Sequence, residues 1–255
     1  MTLSIALRGD TARFPGNTLP ALRSALRAGV DLVKVDVHLT SDEYPVLVDE
    51  RAVTVPGSPP RRIGELTLAE LAASREDVER RVPTLMEVLA EFRGRDASAL
   101  MIEAVTPRAA LAADTLLREY GFGDQALFTG PVETLRALRE QSPRAELMLA
   151  WDRAGPLPEE LVQGLRPAFV GTHHTLVTRD MVGETHRLGC RMVTWTVNEF
   201  PDMTRLIGMG VDALATERVD ELLALTNGHL QVPPRPTETD SGALKQIAPK
   251  TIAPG

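Results

Sequence analysis

Leu19-Pro20-Ala21-Leu22-Arg23-Ser24-Ala25-Leu26-Arg27-Ala28-Gly29-Val30-Asp31-Leu32-Val33-Lys34-Val35-Asp36-Val37-His38-Leu39 is the stretch that decides the fold. Leu19, Leu22, Ala25 and Leu26 recur at the spacing of one helical face, so Leu19 to Arg27 is expected to be an amphipathic helix. Gly29 follows where a left-handed cap closes such a helix. Val33, Val35 and Val37 then alternate with Lys34, Asp36 and His38, the period-two pattern of a strand over Leu32 to Leu39. Outward from this unit the pattern returns along the chain. Further strands are expected at Leu3 to Leu7, Ala99 to Val105, Ala126 to Thr129, Glu146 to Trp151, Phe169 to Thr172, Arg191 to Val197 and Ala213 to Thr216. Helix-period segments lie between them at Arg108 to Tyr120, Val132 to Gln141 and Arg179 to Leu188, and Gly121, Gly189 and Gly210 repeat the cap of Gly29. Strands alternating with helices make a parallel α/β sheet, and eight strands close it into a (β/α)8 TIM barrel. A doubly wound open sheet would carry a Gly-rich turn after its first strand, and this chain has none there.

The length of 255 residues suits one such barrel. Hydrophobic residues make up 43% but aromatics only 4%, so the core must be built from Ala, Leu and Val. A net charge of −7 gives no electrostatic footprint for nucleic acid or an anionic membrane. The lone Cys190 excludes an internal disulfide, reads as a small buried hydrophobe and leans to the cytoplasm. The N-terminus lacks the apolar run of a signal peptide, and no segment reaches the ~18 apolar residues of a spanning helix. A soluble cytoplasmic protein is expected.

Residues 42 to 66 interrupt the alternation with a short strand, Pro45 to Val48, and a Pro/Gly/Arg-rich loop, Val55 to Arg62. Insertions after barrel strands decorate the C-terminal face, where these barrels carry their sites. The basic run Pro59-Pro60-Arg61-Arg62 reads as solvated loop. Gly228 to Gly255 is rich in Pro, Thr and Lys without periodicity and is expected to be a disordered tail, leaving a folded domain over residues 2–227.

Eight short segments then fall in the order of one known family. Leu7-Arg8-Gly9 and Pro15-Gly16-Asn17-Thr18 resemble the His-Arg-Gly and Pro-Glu-Asn-Thr with which glycerophosphodiester phosphodiesterases open. Lys34-Val35-Asp36-Val37 is similar to their Glu-x-Asp-Val, and Pro45 to Glu50 to their Val-x-x-His-Asp. Val82-Pro83-Thr84-Leu85, Met101-Ile102-Glu103, Trp195-Thr196-Val197-Asn198 and Gly210-Val211-Asp212 with Thr216-Glu217 complete the set. The resemblance covers about residues 3 to 226 and implies a PLC-like phosphodiesterase barrel. It further implies metal-dependent hydrolysis of a glycerophosphodiester to an alcohol and glycerol 3-phosphate, with two histidines as acid and base and carboxylates holding Mg2+ or Ca2+.

The departures fall on the working positions. The first histidine is Leu7 and the second is assigned to Val48; neither side chain carries a proton. The metal-ligand glutamate is Lys34, the Pro-Glu-Asn glutamate is Gly16, and the lysine after the third-strand glutamate is Val105. Arg8, Asn17, Asp36, Asp49, Glu103 and Trp195 keep the family identity and form the expected ligand-binding set together with Lys34. Asp36 and Glu103 are the surviving candidate metal ligands. Side chains two apart on a strand share a face, so Lys34 joins Asp36 inside the barrel and competes with a cation for the carboxylates. A divalent ion is expected only where the family site survives; otherwise no cofactor is implied.

Three histidines remain as surrogate acid or base candidates, each with a plainer reading. His38 stands beyond Asp36 on the second strand, and reads more readily as a strand-end residue. His173 and His174 stand at the end of the sixth strand, where adjacent side chains point opposite ways. His186, mid-helix, reads as a surface residue. Arg8 and Lys34 together offer two cations to a small phosphate or carboxylate, or Arg8 pairs with Asp36 or Glu103 and fills the mouth. Three functions stay open: a barrel that binds but does not hydrolyse, a re-routed phosphodiesterase, and a structural protein with a plugged mouth.

Overall fold

The protein, a computed structural model, is described over residues 1–49, 52–53, 59–74, 81–94, 98–153 and 157–226. The tail expected beyond residue 227 lies outside the described residues. Eight parallel strands, Leu3–Leu7, Leu32–Leu39, Ala99–Ala104, Ala126–Thr129, Glu146–Ala150, Phe169–His173, Arg191–Trp195 and Ala213–Thr216, each pair with their neighbours in sequence. The first also pairs with the eighth, which closes the ring. The third, fifth and seventh strands end one or two residues sooner than their apolar runs. After Ala104, for example, Thr106 caps the helix Pro107–Glu119 through its hydroxyl, and the chain must already be turning.

The glycine caps hold. Gly29, Gly121, Gly189 and Gly210 all have positive φ, between 75° and 90°, at or just after a helix end. Five further helices, Leu68–Ala73, Leu85–Phe92, Glu159–Leu165, Phe200–Met209 and Val219–Thr226, complete the alternation. In Leu85–Phe92 the buried face is Leu85, Val88, Leu89 and Phe92, the spacing of one helical stripe.

Two apolar layers follow from strand alternation. Ile5, Leu32, Met101, Leu127, Met148 and Phe169 fill the barrel interior with Val193, Ala213 and Ala215. Outside, Val33, Val35 and Val37 meet an alanine- and leucine-rich helix layer that includes Ala25, Ala109, Ala110 and Ala113. Small helix residues let helices lie close on the sheet, which is how a chain so poor in aromatics closes its core.

Residues 55–58 of the expected loop lie outside the described residues, but the described parts of the insertion form more than a solvated loop. Pro45–Leu47 pairs antiparallel with the second strand, and Arg61–Arg62 pairs with Ala52–Val53. Arg61 also forms an ion pair with Glu70 at 3.0 Å. Val46, Val48, Val53, Ile63, Leu66 and Leu71 bury themselves in a small core of its own.

Candidate functional site

Strand register sets the floor of the barrel mouth. Leu7 stands beside Lys34 and Lys34 beside Met101, with Asp36 beside Glu103 one step higher. Lys34 Nζ reaches up between the two carboxylates, contacting Asp36 Oδ1 and lying 2.6 Å from Glu103 Oε2. The Lys34 and Asp36 side chains are about 15% exposed, that of Glu103 42%, so solvent screens the second contact more than the first.

Asn17 holds Asp36 from the other side. Its Nδ2 donates to Asp36 Oδ2 at 2.8 Å, and its Oδ1 accepts from the Asp36 backbone N–H at 3.1 Å. Asn17 is buried and sits at φ 58°, a left-handed conformation that asparagine tolerates better than most side chains. Arg8 has the same conformation, φ 59°, and its carbonyl accepts from the Asn17 N–H at 2.9 Å. Gly9 completes the turn at φ 89°, where a Cβ would lie 2.6 Å from the Ala21 carbonyl carbon. Backbone strain of this kind clusters where side chains must be aimed.

Arg8 does not pair with Asp36 or Glu103. Its guanidinium bridges Asp49 at 2.8 Å and Glu217 at 3.0 Å, tying the insertion to the end of the eighth strand. Partial burial pulls the guanidinium pKa down, but Asp49 outweighs it, with Asp36 and Glu217 adding to the effect, and holds it above its ordinary value. Asn198 fixes Glu217 in turn, donating to Glu217 Oε2 and accepting from the Glu217 N–H, both at 3.0 Å. Gly16, where the resemblance expects glutamate, lets the Arg8 stem lie close: a Cβ there would stand 3.0 Å from Arg8 Cβ.

Asn198 and Glu217 were not singled out from the sequence, although both stand in motifs that carry the resemblance. Their strand-end position was the available signal. The assignment of Val48 needs correction. Val48 turns into the apolar core of the insertion, and Asp49 is the residue that this segment turns toward Arg8. Counted from Val46, the pattern Val-x-x-His also falls on Asp49.

Above this floor the mouth opens as a cavity of about 840 Å3. Leu7, Arg8, Lys34, Glu103, Val105 and Trp195 are all in its lining. His38, His173 and His174 are not. His38 lines a separate groove beside the insertion. His173 Nδ1 is 2.8 Å from the Thr175 hydroxyl. His174 Nδ1 is buried without a hydrogen-bond partner among the described residues, and burial, then His173, pushes its pKa down. His186 is exposed at the surface and contacts Asp212 at 2.7 Å. Cys190 is buried, and burial pushes its thiol up.

The donor set does not suit a divalent cation. The Asp36 and Glu103 oxygens that face each other already accept from one ammonium, and Asn17 presents a donor rather than an oxygen to the outer Asp36 oxygen. Among the described residues no three His, Cys, Asp or Glu side chains are grouped to hold a metal ion, and no helix is long and apolar enough to cross a membrane.

The model of the glycerophosphoryl diester phosphodiesterase family matches residues 8–221. The chain is 24% identical over 237 residues to a glycerophosphodiester phosphodiesterase of Caldanaerobacter subterraneus, covering 88% of this chain and 97% of that protein. A glycerophosphodiester phosphodiesterase from Parabacteroides distasonis superposes with a TM-score of 0.77 at 22% identity, over 90% of this chain and 98% of that one. A phosphodiesterase from Oleispira antarctica, solved with the product sn-glycerol-3-phosphate, gives 0.79 at 20% identity over 89% and 97%. At such identities the structural likeness carries the fold alone.

Proposed function

We propose that this chain, which belongs to the glycerophosphoryl diester phosphodiesterase family, keeps the barrel as a binding site for a small phosphate or carboxylate and has lost the family's hydrolytic chemistry. The observation that carries this reading is the Lys34 ammonium held between Asp36 and Glu103. In the family pattern three carboxylates surround a divalent ion, leaving one net negative charge. Here two carboxylates surround one ammonium and leave the same net charge. Glutamate to lysine therefore offsets the loss of a doubly charged ion, and the local electrostatics of the fold survive without one.

Proton transfer fails independently. A positioned acid or base contributes typically ~10²–10⁴ in rate. Leu7 has no proton to give, and the Asp49 carboxylate is engaged by Arg8. The three surrogate histidines stand outside the cavity, which weighs against a re-routed hydrolase. The open cavity weighs against a plugged mouth. Binding capacity remains: Lys34 uses two of its three N–H donors on Asp36 and Glu103, and Arg8 has five donors in all.

The test is release of glycerol 3-phosphate from glycerophosphocholine with Mg2+, with Ca2+ and with EDTA. No turnover is expected from the unaltered chain, and metal-dependent turnover is expected from Leu7→His/Lys34→Glu/Asp49→His. Metal-dependent turnover by the unaltered chain would overturn the proposal.

A further inference from the structure

We infer that the mouth takes an amphipathic ligand, a phosphate or carboxylate bearing a compact apolar substituent, rather than a bare polar one. This rests on the binding reading above and names its ligand class. Within the barrel the cavity is two-faced, while Arg8, Glu133, Asp152, Arg153 and Glu217 line it from beyond the strand ends. Lys34 and Glu103 place the charge carried by the strands themselves on the second and third, with Asp36 paired behind them. Across the barrel, the fifth, seventh and eighth strands present Met148, Ala150, Val193, Trp195 and Ala215. Leu7 carries that apolar wall round to the edge of Lys34, its partner in register.

Two features make this half a pocket rather than filled core. Ala150 and Ala215 are short side chains at cavity-lining positions, so space stands where a larger residue would reach. Gly171, on the strand between, lets the Trp195 ring lie close to its backbone: a Cβ there would fall 2.3 Å from Trp195 Cζ3. The indole is thereby drawn back to form a wall instead of crossing the mouth. Leu7 and Val105 stand where the resemblance expects a histidine and a lysine, and both line this cavity. Each replacement removes a group that would need water or a polar partner and leaves surface whose burial favours an apolar neighbour. A cavity of about 840 Å3 falls in the size range that encloses small molecules.

The head group has an address as well. Lys34 and Arg8 both line the cavity and keep N–H donors beyond those given to their carboxylates, and the Arg8 N–H bond to the Lys34 carbonyl at 2.8 Å keeps the two strands in step. An anionic head placed there directs its substituent across the barrel to Leu7, Met148 and Trp195.

Calorimetry on the full chain with methyl phosphate and hexyl phosphate tests this, with acetate and hexanoate separating the two head groups. Each buried methylene is worth about fourfold in affinity, so three buried methylenes give the hexyl compound an advantage of roughly sixtyfold. Ala150→Met, at an exposed position that tolerates change, is expected to reduce that advantage to below about fivefold by filling the apolar half. Leu7→Asn is expected to reduce it as well. Equal affinity for methyl and hexyl compounds overturns the amphipathic ligand while leaving the binding reading intact. Failure of every compound to bind overturns both.

Discussion

Replacing Lys34 by methionine removes one ammonium and little volume, and leaves Asp36 and Glu103 in register with no cation between them. Breaking a fully buried ion pair from one side costs roughly 3–5 kcal/mol. Asp36 is nearly buried but Glu103 is 42% exposed, so water relieves part of the repulsion and about 2 kcal/mol is expected. For a domain of this size that lowers Tm by about 4–8 °C. One further signature separates this from ordinary packing damage. Calcium then finds two carboxylates without a competing ammonium, and saturation at a hundred times Kd restores about 2.7 kcal/mol. Urea unfolding with Ca2+ and with EDTA reads both effects. A loss under about 0.5 kcal/mol that does not respond to calcium would refute the electrostatic role given to Lys34. Calcium stabilisation of the unaltered chain that disappears in Asp36→Ala would refute it equally.

Asn17→Ala removes both hydrogen bonds to Asp36 and a residue suited to φ 58°; a loss of about 2–3 kcal/mol is expected by urea unfolding, and Asn17→Gly should recover the backbone part. Gly9→Ala combines a φ of 89° with a contact of 2.6 Å to backbone, and should lower stability by more than about 2 kcal/mol or prevent folding, read by circular dichroism and soluble yield. His174 prefers its neutral form in the folded state, so the unfolded chain takes up this proton first as pH falls below the ordinary histidine value of about 6.5. Stability associated with His174 is thus full above that pH and lost below it. Unfolding of His174→Asn should accordingly depend less steeply on pH between about 6.5 and 5 than that of the unaltered protein.

Periodicity made the barrel legible. A helix face repeating at 3.6 residues, a glycine cap and a strand repeating at two are local properties, and the chain repeats them often enough to show the alternation. The identity of the family was legible for the same reason, since its motifs are contiguous and ordered. Lys34 and Asp36 also had to share a face, because two positions on one strand always do. The partners of Arg8 were not legible. Asp49 and Glu217 lie 41 and 209 residues from Arg8, and only barrel closure brings the first strand against the eighth. Whether Val48 or Asp49 faces Arg8 turned on the insertion having a core of its own that claims the valine. The openness of the mouth was decided there too, by small residues on non-neighbouring strands whose side chains stop short of one another. Sequence alone determined the scaffold and the charges on it, because those are set by neighbours along the chain. Tertiary structure decided which charges meet and what space is left between them, because those distances exist only once the ring is closed.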